Sequence, residues 1–116
     1  MSGWEAGARH FNAGAYWEAH EAWEGPWGAA QGRDRSLYAG AILLAAALHK
    51  ARAMGNARGG RRNYAKALAH LALLPDHYRG VAVRALEAQV HAALQDARLA
   101  PQLPLTLLAE PAEATR

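Results

Sequence analysis

Three side chains in the first half of the chain could hold a metal ion or form a buried polar network. His20 and Glu24 are four residues apart, so a helix would place them one turn apart on the same face. His49 ends a second, more apolar segment that is also expected to be helical. If the two helices pack together, the two imidazoles and the carboxylate could converge. The aromatic side chains expected to wall this pocket are Trp23, Trp27 and Tyr38.

This cluster has three interpretations. A histidine and a glutamate at this spacing can both reach a divalent ion, and the string H-E-A-W-E at residues 20–24 departs from the zinc-protease pattern H-E-x-x-H in its last ligand. His20, Glu24 and His49 would then be the ligands of a metal-dependent, hydrolase-like enzyme, with Glu21 as its general base. The second interpretation is a pocket for a small ligand. The third is a buried His–Glu network that fixes how the helices pack.

The rest of the sequence favours the network. No Glu-x-x-His occurs in the chain, which argues against a di-iron bundle, and no two of the six histidines are four residues apart. We therefore expect a non-catalytic domain that binds a protein partner or itself as a homo-oligomer. We expect no cofactor, and keep the metal-dependent enzyme as the alternative.

Charge is distributed unevenly along the chain. Residues 1–27 carry four glutamates and one arginine, a net charge of −3, whereas residues 50–66 carry six basic side chains and no acidic one. Glu18 and Glu21 lie on a different helical face from His20, and they could be solvated or could contact a basic surface of a second subunit. An exposed Trp17 beside these acids could mark a partner surface.

The basic segment supports a further hypothesis. Its anion-binding candidates are Arg58, Arg61, Arg62 and Lys66. Such a row could contact the phosphates of a nucleic acid. Helix–turn–helix cues are absent, however, and arginines outnumber lysines eleven to two, which points to a compositional bias. We therefore do not expect a nucleic-acid partner, and we interpret the row as the outer face of a helix.

The composition predicts an all-α fold. Of 116 residues, 30 are alanine and only 6 are β-branched, which disfavours a sheet. The lack of cysteine excludes disulfides, thiolate zinc sites and cysteine nucleophiles. The longest apolar run, residues 39–48, is about half as long as a membrane helix, and no secretory signal is visible. We therefore expect a cytoplasmic protein with no membrane partner.

Glycine and proline divide the chain into a compact bundle of about five helices, built from helical hairpins. The predicted helices cover residues 4–12, 15–24, about 34–54, 58–74 and 81–99. Residues 101–108 contain two prolines and four leucines, and are expected to form an extended C-terminal strap over the bundle. We expect residues 1–109 to form a single helical domain and residues 110–116 to be a frayed tail.

Two blocks of the sequence follow a joint pattern. Residues 11–27 match F-x-x-G-x-Y-x-E-A-H-E-x-x-E-x-x-W. Residues 40–49 and 55–60 match most of G-x-I-Q-x-A-A-A-x-H and of a following G-N-x-x-G-A turn. This joint pattern resembles that of the domain of unknown function family 309, which comprises bacterial and archaeal proteins. The resemblance spans about residues 10–85 and implies a small all-α bundle, without an established activity.

The chain departs from the family pattern at three positions. Leu43 stands where the family usually has glutamine, and Ala82 where an aspartate is usual, so two polar groups are absent. Gly60 replaces the usual alanine. The candidate cluster itself is retained.

Overall fold

The computed structural model describes residues 2–109, which contain five α-helices. The helices are α1 (Ser2–Asn12), α2 (Tyr16–Ala29), α3 (Gly32–Arg52), α4 (Ala57–Leu71) and α5 (Val83–Gln95). A small antiparallel hairpin, β1 (His77–Tyr78) and β2 (Val81–Ala82), precedes α5 and pairs His77 with Ala82 and Tyr78 with Val81. The predicted all-α fold is confirmed. The predicted tail, residues 110–116, lies outside the described residues.

The first four helices form successive antiparallel hairpins with α3 at the centre. α3 packs against α2 on one side and α4 on the other, and in the described part of the chain those two pack on α3 rather than on each other. Small residues bring the helices close: a Cβ on Gly60 of α4 would lie 2.9 Å from the backbone oxygen of Ala47 in α3. Because α2 and α4 each run antiparallel to α3, they run in the same direction.

Aromatic rings fill the core where α1, α2 and α3 meet. The Trp4 ring stacks on Trp23 at 5.1 Å between centroids and meets Tyr38 edge-on at 5.8 Å. The indole nitrogen of Trp23 donates to the Trp4 backbone oxygen at 3.1 Å, which satisfies this buried polar group. Trp4, Trp23 and Tyr38 are fully buried, so these rings supply the volume that the neighbouring alanines lack.

α2 continues past the proline that was expected to end it. The sequence predicted a helix end at Glu24, but α2 includes Pro26 and ends at Ala29. Pro26 packs so closely on α1 that a Cβ on Gly3 would lie 2.7 Å from its Cγ. Arg35 of α3 donates to the Trp27 backbone oxygen at 3.0 Å and satisfies a carbonyl in the last turn. Tertiary contacts thus outweigh the local preference against proline.

The predicted strap is present and is tied to α1 by hydrogen bonds. Asn12 accepts from the Leu103 backbone nitrogen at 2.7 Å and donates to the Leu103 oxygen at 2.9 Å. The Trp4 indole nitrogen donates to the Pro104 oxygen at 2.8 Å. Leu103 and Leu107 are buried in the core, so the strap closes the bundle along one side.

The hairpin before α5 holds the far end of the strap. Arg79 donates to both carboxylate oxygens of Asp34 in α3, at 3.0 and 2.9 Å, and to the Leu108 backbone oxygen at 2.7 Å. Arg79 and Gly80 both have positive φ, 51° and 88°, which is the geometry of a type I′ hairpin turn. The sequence predicted a turn here but placed Val81 and Ala82 in the last helix.

None of the helices in residues 2–109 has both the length and the apolar character needed to cross a membrane.

Candidate binding site at the start of α2

Three aromatic rings meet where the first half of α2 faces the end of α3. The Trp17 ring stacks on the His20 imidazole at 4.8 Å between centroids, with 12° between the planes. The same indole lies 5.3 Å from the His49 ring. We call Trp17, His20 and His49 the Trp–His cluster. The antiparallel packing of α2 on α3 produces it, because the start of one helix faces the end of the other.

His20 is the most enclosed polar group of this cluster. Its side chain is 19% exposed, and its Nε2 lies 3.6 Å from Oε2 of Glu24 one turn later. Its Nδ1 is buried and has no hydrogen-bond partner among the described residues. The Trp17 ring covers the imidazole, which explains why this nitrogen does not reach the surface.

The expected buried His–Glu network is wrong in one respect, since Glu24 is not buried. Its side chain is 58% exposed and leans toward solvent at ion-pair distance from His20. Glu21, the candidate general base, is also exposed. Within residues 2–109, no three histidine, cysteine, aspartate or glutamate side chains are grouped so that they could hold a metal ion. The structure therefore does not assemble His20, Glu24 and His49 as a ligand set.

The expected aromatic walls lie elsewhere along the helices. Tyr38 is eleven residues before His49, about 16 Å along α3, and packs on Trp4. Trp23 is buried against Trp4 in the core. The guanidinium carbon of Arg35 lies 4.0 Å from the centre of the Trp27 ring, in a cation–π contact. Helical register separates these rings from the Trp–His cluster.

A groove of about 870 Å³ opens beside the Trp–His cluster, between the start of α2 and the end of α3. We call it the α2–α3 groove. Its apolar surface includes Trp17 and Met54, whose exposed fractions are 45% and 60%. The residues that line it are Gly14, Ala15, Tyr16, Trp17, Glu18, Ala46, His49, Lys50, Arg52, Ala53 and Met54. A volume of this size is in the range of ligand pockets.

Basic side chains outnumber acidic ones around the α2–α3 groove. Lys50 and Arg52 line it on α3, and Glu18 lines it on α2. Arg52 also donates to the Tyr16 hydroxyl at 3.3 Å. Burial raises the pKa of Tyr16, and the Arg52 charge opposes that rise. Tyr16 is therefore neutral at physiological pH and adds no negative charge to the groove. The groove thus combines an apolar floor with an edge that carries a net positive charge.

The basic row of α4 lies next to this edge. All four of its members are exposed, and none of them forms an ion pair with another described residue: Arg58, Arg61, Arg62 and Lys66. A Cβ on Gly59 would lie 3.0 Å from Cδ of Lys50, so the first turn of α4 adjoins the groove.

Of the residues that line the groove, the sequence singled out Trp17, Glu18 and His49, without grouping them in one site. The sequence does offer an indication for Met54. This large apolar side chain directly precedes the Gly55 turn, outside the helical core positions, and it is exposed in the structure. Lys50 and Arg52 were noted only as part of a basic segment. Their place beside Trp17 depends on how α2 docks on α3, which composition does not give.

The arrangement defines a class of protein: a small all-helical domain with an open, basic-edged groove. More particularly, the chain belongs to the Domain of unknown function (DUF309) family, whose model matches residues 4–63. The comparison with curated proteins gave no match. Among solved structures, the chain is similar to the conserved hypothetical protein TTHA0068 from Thermus thermophilus, with 41% identity over 79% of this chain and 95% of that one, and a TM-score of 0.70.

Proposed function

We propose that this chain is a non-catalytic binding domain, and that its α2–α3 groove binds an acidic segment of a partner chain carrying a bulky apolar side chain. One observation carries the proposal: Trp17 and Met54, two large apolar side chains, are exposed in the same groove. Tryptophan is prominent among the residues that dominate the energy of protein interfaces.

The apolar part of the groove supplies the affinity in this proposal. A bulky side chain placed between Trp17 and Met54 would remove both from water. Burial of apolar surface contributes about 25 cal/mol per Å². Ala46 and Ala53 also line the groove, and their small side chains leave room for a side chain of the partner.

The charged edge supplies the preference for an acidic segment. Lys50 lines the groove and makes no ion pair with a described residue. The first turn of α4, which carries Arg58, lies next to it. Glu18 is the one acidic group in the groove lining. Complementary charge speeds association and rejects partners of the wrong sign. An acidic segment therefore fits this edge better than a basic one.

Selection from a random peptide library displayed on phage tests the proposal. With the purified protein immobilised at low density, we expect enrichment of peptides that pair one bulky apolar residue with aspartate or glutamate. A synthetic peptide of the selected sequence should bind about 10-fold or more weakly to Trp17→Ala, as for an interface hot spot. Fluorescence anisotropy measures this binding, and Lys50→Glu should weaken it as well.

Leu73→Ala provides the matched control. Leu73 is a large apolar side chain, 65% exposed, at the other end of α4 from the groove. Its removal should leave peptide binding unchanged. Enrichment of basic peptides, or binding that is equally strong to Trp17→Ala, would contradict the proposal.

A further inference from the structure

We infer that the partner of the α2–α3 groove is a second copy of this chain, which docks its acidic α2 on the basic α4 of the first. The inference rests on the proposed function, because it assigns a particular occupant to the same groove. In the resulting dimer, each copy supplies one acidic and one basic helix, and the two Trp17 side chains meet near the centre.

The acidic contribution comes from the exposed face of α2. Glu18 and Glu21 are exposed, lie one turn apart and form no ion pair with another described residue. Trp17 lies on the same side of the helix, beside Glu18 in the groove. α2 thus carries the acidic groups and the bulky apolar group that the proposed occupant requires.

The basic contribution comes from a stripe on α4. Arg58, Arg62 and Lys66 are spaced four residues apart, so they follow one face of the helix. Arg62 and Lys66 are three and seven residues after Gly59, and that glycine lies against Lys50 at the edge of the groove. The stripe therefore borders the groove on the side opposite to α2.

The position of α3 makes this surface self-complementary. α3 lies between α2 and α4, so the acidic and basic faces flank the groove from opposite sides. A two-fold axis parallel to α3 exchanges left and right without changing the direction of the helices. It therefore places α2 of each copy over α4 of the other, as an isologous interface requires.

The spacing of the charges along the two helices also agrees. α2 and α4 run in the same direction, and both begin at the end of the molecule where α3 ends. Glu18 and Glu21 are separated by about 4.5 Å along α2, and Arg58 and Arg62 by about 6 Å along α4. Each acidic side chain therefore comes within reach of a basic one on the other copy.

Charge reversal tests the inference by analytical ultracentrifugation. The unmodified protein should sediment as a dimer at about 50 mM salt, where surface charges are weakly screened. The double variant Glu18→Arg, Glu21→Arg should be a monomer, and so should Arg58→Glu, Arg62→Glu. An equimolar mixture of these two variants should form a heterodimer, because both of its contacts again join opposite charges.

Arg33→Glu is the control for net charge, since Arg33 is exposed at the start of α3, away from the groove. This variant should remain dimeric, whereas Arg62→Glu alone should weaken the dimer. A dimer that survives both double reversals would overturn the inference, and so would a mixture that stays monomeric. A monomeric unmodified protein that still selects acidic peptides through Trp17 would also overturn it while leaving the proposed function intact.

Discussion

At the scale of single residues, one guanidinium group ties the groove to the rest of the molecule. Arg52 donates to the backbone oxygens of Ala93, Asp96 and Leu99, at 3.0, 3.2 and 2.5 Å, and its other amino group reaches Tyr16. These oxygens lie in the last turn of α5 and just beyond it, where carbonyls lack helical partners. A charged donor therefore closes α5 and also lines the groove.

Glu87 provides a prediction about pH. Its carboxylate lies 3.4 Å from Arg84, and its side chain is only 15% exposed. Burial raises the pKa of Glu87, Arg84 opposes that rise and Asp76 adds to it. Because the folded state binds this proton more tightly than the unfolded state, the contribution to stability is greatest below the unfolded pKa and is lost as pH rises through the folded pKa.

Glu87→Gln should therefore be more stable than the unmodified protein at pH 7, and the difference should shrink near pH 4. Urea unfolding of both proteins at the two pH values measures this. A variant less stable at pH 7 would show that the Arg84 ion pair outweighs the burial of the carboxylate.

The individual residues of the site could be predicted only in part. Their spacing correctly put His20 beside Glu24, since that depends on helical geometry alone. The burial of Glu24 and the grouping of Tyr38 with His49 were not correct. The exposure of Glu24 depends on the rotation of α2 about its axis, which side-chain packing against α3 decides. The separation of Tyr38 from His49 follows from the rise of α3 itself, about 16 Å over eleven residues.

At the scale of helices, the contact between α1 and α2 requires a glycine. A Cβ on Gly7 would overlap the indole ring of Trp23, which is itself held by Trp4. Gly7→Ala should destabilise the protein by about 1–3 kcal/mol, as overpacking of a rigid core does. Thermal unfolding followed by circular dichroism measures the change.

Gly28→Ala is the matched control within α2. Nothing lies within 4 Å of the position of its Cβ, so alanine should be neutral or stabilise the helix by about 0.5–1 kcal/mol. Equal losses of stability for the two variants would show that the close approach at Gly7 is not what limits the packing.

The helices were easier to predict than their ends. The five segments follow from apolar spacing and from turn residues, and each is found close to its expected place. The end of α2 was misplaced because Pro26 packs on Gly3 and because Arg35 satisfies a carbonyl in the last turn. The start of α5 was misplaced because Val81 and Ala82 pair with β1 as a short strand, in a hairpin whose turn residue Arg79 forms an ion pair with Asp34.

At the scale of the whole molecule, the strap fastens an elongated array of 48 × 23 × 22 Å. Asn12 makes both of its backbone bonds to Leu103 from the end of α1. Asn12→Ala should speed hydrogen exchange at the Leu103 amide by about 5-fold or more, since a lost hydrogen bond of this kind contributes about 1–3 kcal/mol. Nuclear magnetic resonance at residue resolution measures the rate.

Thr106→Ala is the control on the strap itself. Thr106 is exposed and makes no hydrogen bond with another described residue, so its removal should leave the exchange rate at Leu103 unchanged. Unchanged exchange in Asn12→Ala would mean that burial of Leu103 and Leu107 holds the strap without the asparagine.

The bond between Trp4 and Pro104 has a consequence for the order in which the protein is made. It joins residues 100 positions apart, whereas the helical hairpins join residues that are near neighbours in sequence. A chain emerging from the ribosome can form its hairpins early, because local contacts form fastest. The Trp4 indole can form its hydrogen bond only after Pro104 has been synthesised. The first helix to be synthesised is therefore among the last parts of the molecule to acquire all of its native contacts.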